Sequence, residues 1–133
     1  MRKCIFILLV ILAVSYRLEA KKQEVVMPSG KEIYIPKDLQ GMDLQNPDSK
    51  WSYHRMAYTD NFVIFWEKGF GNDLSNPPQL EGHDMKVDLL NLTEKLESFY
   101  HFFRDTLKFS KPGSKCDKYR MMVMLNYSLE GTA

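Results

Sequence analysis

The sequence has almost no cysteine. Only Cys4 and Cys116 carry thiols in 133 residues, and Cys4 lies in a leader expected to be removed. One remaining cysteine closes no internal disulfide, so a core must hold the fold. Cys116 reads as a free thiol; a partner cysteine on another chain or in further sequence is the alternative. An excess of charge is lacking too, with 18 basic against 17 acidic side chains. Without a basic surplus the chain cannot neutralise a polyphosphate, which argues against nucleic acid as a partner. The longest apolar run, residues 4–14, falls short of the roughly 20 residues that a membrane span needs. Metal spacing is missing as well: His54, His83 and His101 are scattered, and none opens an H-E-x-x-H. There are no repeats and no low-complexity segments.

What is present begins with an export pattern. Met1-Arg2-Lys3 is a positive head, and residues 4–14 have the length of a signal-peptide core. Small residues allow cleavage after Ser15 or after Ala20. An uncleaved anchor is the plainer alternative, and a lipoprotein is disfavoured because Cys4 precedes the apolar run. Loss of residues 1–20 removes Arg2, Lys3, Arg17 and Glu19, taking 18 basic and 17 acidic groups to 15 and 16. The expected product is a secreted or periplasmic chain of about 115 residues, without a membrane segment and of one-domain length.

Residues 84–107 are expected to form one long amphipathic helix. Met85, Leu89, Leu92, Leu96, Phe99, Phe103 and Leu107 recur at steps of four and three, with Asp84 as N-cap and Pro112-Gly113 as terminator. Lys86, Asp88, Glu94, Lys95, Glu97 and Asp105 fall largely on other faces. Phe62-Val63-Ile64-Phe65-Trp66 before it and Met121-Met122-Val123-Met124-Leu125 after it are apolar on both faces, as in strands covered on both sides. Strand, helix, strand predicts a parallel βαβ unit. Upstream, residues 31–36 alternate well enough for a short edge strand ended by Pro36. Residues 37–49 read as an ordered connection with at most one helical turn, and residues 51–58 as an extended segment. The domain reading is therefore a signal peptide at 1–20, an N-terminal extension at 21–49 and a partial α/β domain at 50–133. A strand buried on both faces needs two layers and the helix supplies one. The expectation is thus an incomplete domain, with the N-terminal strands as an alternative second layer.

No catalytic or cofactor constellation emerges. His83-Asp84 is the nearest acid–base pair, but neighbours ahead of a helix more often cap it. His101 is expected to face solvent. Lys68-Gly69-Phe70-Gly71 sits at a strand end where α/β sheets place ligands, yet lacks the Gly-Lys-Ser/Thr of a phosphate loop. Trp51, Tyr53, Tyr58, Phe65, Trp66 and Phe70 are the densest aromatic region; rings flanking a buried strand are usually core, and a glycan or peptide platform is the rival. Met121, Met122 and Met124 read as core filling before a thioether metal site. Asn91-Leu92-Thr93 and Asn126-Tyr127-Ser128 match glycosylation acceptors but fall inside expected elements, the long helix and a second strand expected over residues 118–126.

Three runs carry a family likeness. They are Ile35-Pro36-Lys37-Asp38-Leu39-Gln40-Gly41-Met42-Asp43-Leu44, Ser49-Lys50-Trp51-Ser52-Tyr53-His54-Arg55, and Asn61-Phe62-Val63-Ile64-Phe65-Trp66-Glu67-Lys68-Gly69-Phe70-Gly71. Together they resemble a group of secreted proteins of unknown function from Gram-negative gut bacteria, whose domain is similar to zincin metallopeptidases. The likeness covers about residues 33–133. It implies a zincin-like α/β fold in which the first strand, long helix and second strand precede the helix bearing H-E-x-x-H. That motif is absent, so no metal ligand, cofactor or general base transfers to any residue. The expectation is an N-terminal scaffold without activity of its own, awaiting the C-terminal part of its domain.

Overall fold

The computed structural model describes residues 25–130; the leader expected at 1–20 and its cleavage sites lie outside them. The core strand β3 (Phe62–Trp66) is buried at every position. It pairs in parallel with β4 (Tyr119–Leu125), Phe62 opposite Met121 and Trp66 opposite Leu125, and antiparallel with β2 (Met56–Tyr58). A two-residue strand β1 (Glu32–Ile33) lies parallel to the start of β4, so the sheet order is β1-β4-β3-β2. The fold is therefore mixed α/β, and the parallel crossover expected between residues 62–66 and 121–125 is present. One difference is local: within residues 51–58, Tyr53–Arg55 form a 3-10 turn instead of extended chain.

Alternation along β3 and β4 sorts their side chains to two faces. Val63, Phe65, Met122 and Met124 take one face, where Leu39, Leu44 and Trp51 close over them with Ile33 and Ile35. The N-terminal stretch, expected only as the alternative, supplies this second layer, so the missing layer behind the expectation of an incomplete domain is present. Leu39 comes from the single helical turn α1 (Lys37–Gln40). Buried Arg55 ties the layer down by donating to the carbonyls of Pro47 (2.6 Å), Ser49 and Lys50. Burial lowers its pKa, while nearby Asp48 works in the opposite direction. On the other face, Phe62 meets Tyr100 edge-on and Trp66 packs with Phe70, Leu74, Val87 and Leu89.

The long helix departs from its expected bounds at both ends. It starts at Leu89, not at residue 84: α2 (Leu89–His101) is capped by Asp88, whose carboxylate accepts the Asn91 N–H at 2.9 Å. Asp84 instead closes a turn onto the Lys86 N–H. Downstream, residues Phe102–Thr106 widen into a π-helical turn, with the Leu107 N–H reaching back to the Phe102 carbonyl. Lys108 then turns the chain at a φ of 58°, so the helix has ended before Pro112-Gly113. A one-turn helix, α3 (Lys115–Lys118), leads into β4.

The buried face is also rotated from the expected stripe. Phe99 and Phe103 are 57 % and 47 % exposed, whereas Tyr100 is buried and Glu97 half-buried. Glu97 and Tyr100 lie to one side of the stripe formed by Leu92, Leu96, Phe99 and Phe103, and the sheet takes that side. The reason is polar. The Glu97 carboxylate accepts from the Thr59 hydroxyl, from the Asn61 N–H at 3.0 Å and from the Asn61 side-chain amide at 2.7 Å. It thereby locks α2 to the turn that enters β3. Phe99→Ala is expected to change stability by less than about 0.5 kcal/mol, and Glu97→Ala to cost about 1–3 kcal/mol, as urea unfolding would measure. Burial raises the Glu97 pKa, but the bonds from Thr59 and Asn61, with His101 nearby, outweigh it and lower the net value from 4.5. A depressed folded pKa gives stability that is present above the unfolded value and lost as pH falls through the folded one. Glu97→Gln should therefore flatten the loss of stability below about pH 4.5; an unchanged acid limb would count against this role.

Candidate functional site

At the carboxyl end of β3, where open α/β sheets hold ligands, a packed turn lies beside two depressions. One of about 520 Å³ is lined by Trp66, Leu74, Val87 and Leu89, and one of about 670 Å³ by Lys50, Glu67, Leu125 and Tyr127. Lys68–Phe70 form a 3-10 turn whose next residue, Gly71, accepts the Trp66 indole N–H at 2.9 Å. A Cβ on Gly69 would stand 2.2 Å from the Tyr127 ring, so glycine is what lets that ring lie against the turn. Glu67 accepts the Tyr127 N–H at 3.0 Å and lies 3.6 Å from the Lys50 ammonium. This corner is a packed turn.

The aromatic region does not form a platform. Trp51, Phe65, Trp66 and Phe70 are buried and Tyr53 is half-buried, leaving Tyr58 as the exposed ring. Tyr58 stacks under the guanidinium of Arg120, 5.5 Å from its ring centre. The histidines are not brought together. His54 bonds to the Gln45 carbonyl (3.1 Å), His83 lies in a tight turn with Leu80, and exposed His101 pairs with Asp105 at 2.9 Å. Among the described residues no group of His, Cys, Asp or Glu is placed to hold a metal ion. Cys116 is free and half-buried. Asn91 sits in the first turn of α2, but Asn126 lies exposed just beyond β4, outside the element expected to contain it.

A polar cluster at the amino ends of β3 and β4 escaped sequence reading. The Tyr100 hydroxyl receives hydrogen bonds from Lys31 (3.0 Å) and Arg104 (2.6 Å), and Arg104 pairs with Asp117. The Gly113 N–H, together with Arg104, holds the Asp117 carboxyl below the usual range. Lys31 also donates to the Asn61 side chain and, at 2.6 Å, to the Cys116 carbonyl. The contacts of Lys31 and the Arg104–Asp117 pair join separate segments, while the Arg104–Tyr100 bond is local to one helical run. The chemistry of the cluster is that of a clamp.

One open surface is apolar. Phe99, Phe102, Phe103, Leu107 and Phe109 fan out where α2 passes into its π-helical turn, and Phe109 is 74 % exposed. They adjoin a groove of about 350 Å³ floored by Phe62, Leu96, Tyr100 and Met121. An apolar cluster of this kind marks an interaction surface more often than solvent-facing decoration. The periodic Phe99 and Phe103 were legible in sequence; their outward direction was not.

Residues 25–133 match a family of unknown function, DUF6055. The chain belongs to that family. No curated protein and no solved structure matches the chain. The match runs through the N-terminal stretch and β4 alike, and Leu39 and Leu44 share one buried cluster with Trp51, Val63 and Phe65.

If the aromatic fan is a surface and not core, Phe99→Ser with Phe109→Ser should leave unfolding free energy within about 1 kcal/mol of the parent. The same pair should reduce binding of a hydrophobic dye and concentration-dependent association. Loss of folding in the double variant would place these rings in the core.

Proposed function

We propose that this chain is the N-terminal scaffold part of an exported, zincin-like α/β protein, with no catalytic centre of its own. The observation that carries the reading is the pairing of a parallel β3–α2–β4 unit with an uncovered aromatic end on α2. That unit has the order the resemblance assigns to the first strand, helix and second strand. The uncovered rings offer a surface on which a further layer of the same domain can dock. Support also comes from how the charged groups inside the fold are used. Arg55, Arg120, Lys31 and Glu97 are all engaged in holding backbone or turns. A glycan or peptide platform at Trp51 to Phe70 is disfavoured, because burial removes its ring faces.

Export rests on the head and apolar run of residues 1–14. Mass spectrometry of exported material should find a new N-terminus between Tyr16 and Gln23; a mature protein beginning at Met1 would remove this part of the proposal. Purified protein should bind no stoichiometric zinc and hydrolyse no member of a broad peptide library. About one tightly bound zinc per chain, or turnover abolished by a chelator, would replace the scaffold reading with a metalloenzyme.

A further inference from the structure

The register of the sheet determines where each residue of β4 directs its backbone. The Met121 N–H donates to the Asn61 carbonyl at 2.8 Å, and the Leu125 carbonyl accepts the Glu67 N–H at 3.1 Å. Positions 121, 123 and 125 therefore face β3, and the even positions face the opposite edge. Arg120 meets Ile33 of β1 there. β1 stops at Ile33, and the chain leaves through Tyr34 and Ile35 to Pro36, which has no N–H to offer. Among the described residues no strand lies beside Met122 and Met124. Their two donors and two acceptors point to an open edge.

Natural sheet edges are blunted by lysine, proline, a bulge or an inward charge. The run Met121-Met122-Val123-Met124-Leu125 carries none of these. Along this edge lies a groove of about 420 Å³, lined by Tyr34, Pro36, Cys116, Met121 and Met122, with Lys115 at its side. Lys115 is exposed and forms no ion pair among the described residues. Met121 and Cys116 also line the groove under the aromatic fan, so the two depressions adjoin.

We propose that the β4 edge at Met122 and Met124 binds an extended segment of a partner polypeptide, added as a further strand. Alternating donors and acceptors at strand spacing are complemented by peptide backbone, which neither a lipid nor a sugar supplies. The segment places an apolar side chain in the groove over Met121 and a carboxylate toward Lys115. A second copy of the chain fits this edge less well. Its β4 run from Met121 to Leu125 brings no carboxylate to meet Lys115, whereas the two rungs left free by β1 are the same for either occupant. The inference stands on β4 and does not depend on the scaffold reading.

The test uses a blocked peptide of alternating valine and threonine with two aspartates at its N-terminus. Amide hydrogen exchange of the full chain is followed by NMR at Met122 and Met124, with Val123 as the internal reference. In the protein alone the two edge amides should exchange about 100-fold faster than Val123, and the peptide should slow them at least about tenfold. Met124→Pro removes an edge donor without breaking a bond to β3, and should abolish the response. Met121→Arg fills the groove while keeping the edge backbone, and serves if the proline variant does not fold. No slowing at about 1 mM peptide overturns the proposal. So do edge amides already slow in the protein alone: a dimer mass in sedimentation would then assign the edge to a second copy, and a monomer mass to the chain's own remainder. Failure here leaves the zinc and hydrolysis outcomes untouched, so the two readings fail separately.

Discussion

The buried guanidinium of Arg120 is the contact on which the rest of the described fold depends. From the second position of β4 it donates to the carbonyls of Thr59 (2.7 Å), Ser29 (2.8 Å) and Lys31. One side chain thus joins the turn into β3, the stretch entering β1, and β4 itself. Among the described residues no carboxylate pairs with it; three carbonyl dipoles and the Tyr58 ring take that place. A buried cation without such partners would be strongly unfavourable, so these segments must stay in register for the group to be solvated by protein. Glu97 and Lys31 extend the same clamp to α2 and α3.

This clamp explains why the helix presents an unexpected face. Hydrophobic periodicity alone places Phe99 and Phe103 inward with Leu92 and Leu96. Rotation toward Glu97 lets a carboxylate reach the Asn61 and Thr59 donors, and brings Tyr100 between Lys31 and Arg104. The phenylalanines are then carried to the surface. The π-helical turn at Phe102–Thr106 sits where that rotation meets the end of the sheet. A widened turn inserts an extra residue and re-aims the chain beyond it, which sets Phe103 against Phe109 at 5.7 Å.

Two surfaces result, of different chemistry. The aromatic fan offers area without directional groups, suited to a packed layer. The β4 edge offers ordered donors and acceptors, suited to a strand. They adjoin at Met121 and Cys116. At the carboxyl end of the sheet Tyr127 packs against Gly69 and Gly71 satisfies the Trp66 indole, beside depressions lined by Trp66 and Leu74 and by Lys50, Glu67 and Leu125.

Much of the fold was legible in residues taken alone. Five successive apolar residues at 62–66, and another five at 121–125, specify strands, because no amphipathic period survives in them. Burial on both faces holds for β3, whereas residues 121–125 of β4 are at most half-buried and Met121 is exposed. The four–three spacing from Leu89 to Phe103 specifies a helix between them, and that length of connection permits parallel pairing. Absence of H-E-x-x-H and the scatter of His54, His83 and His101 were equally plain. Sequence did not reveal which side of the helix is buried, because hydrophobic spacing weighs phenylalanine above glutamate and carries no information about distant donors. That the stretch from Ile33 to Trp51 forms the second layer was open in the sequence only as an alternative, since its apolar residues are isolated and follow no period. The open edge at Met122 and Met124 depends on where β1 stops relative to β4. That offset arises only when two segments 87 residues apart, Ile33 and Arg120, meet.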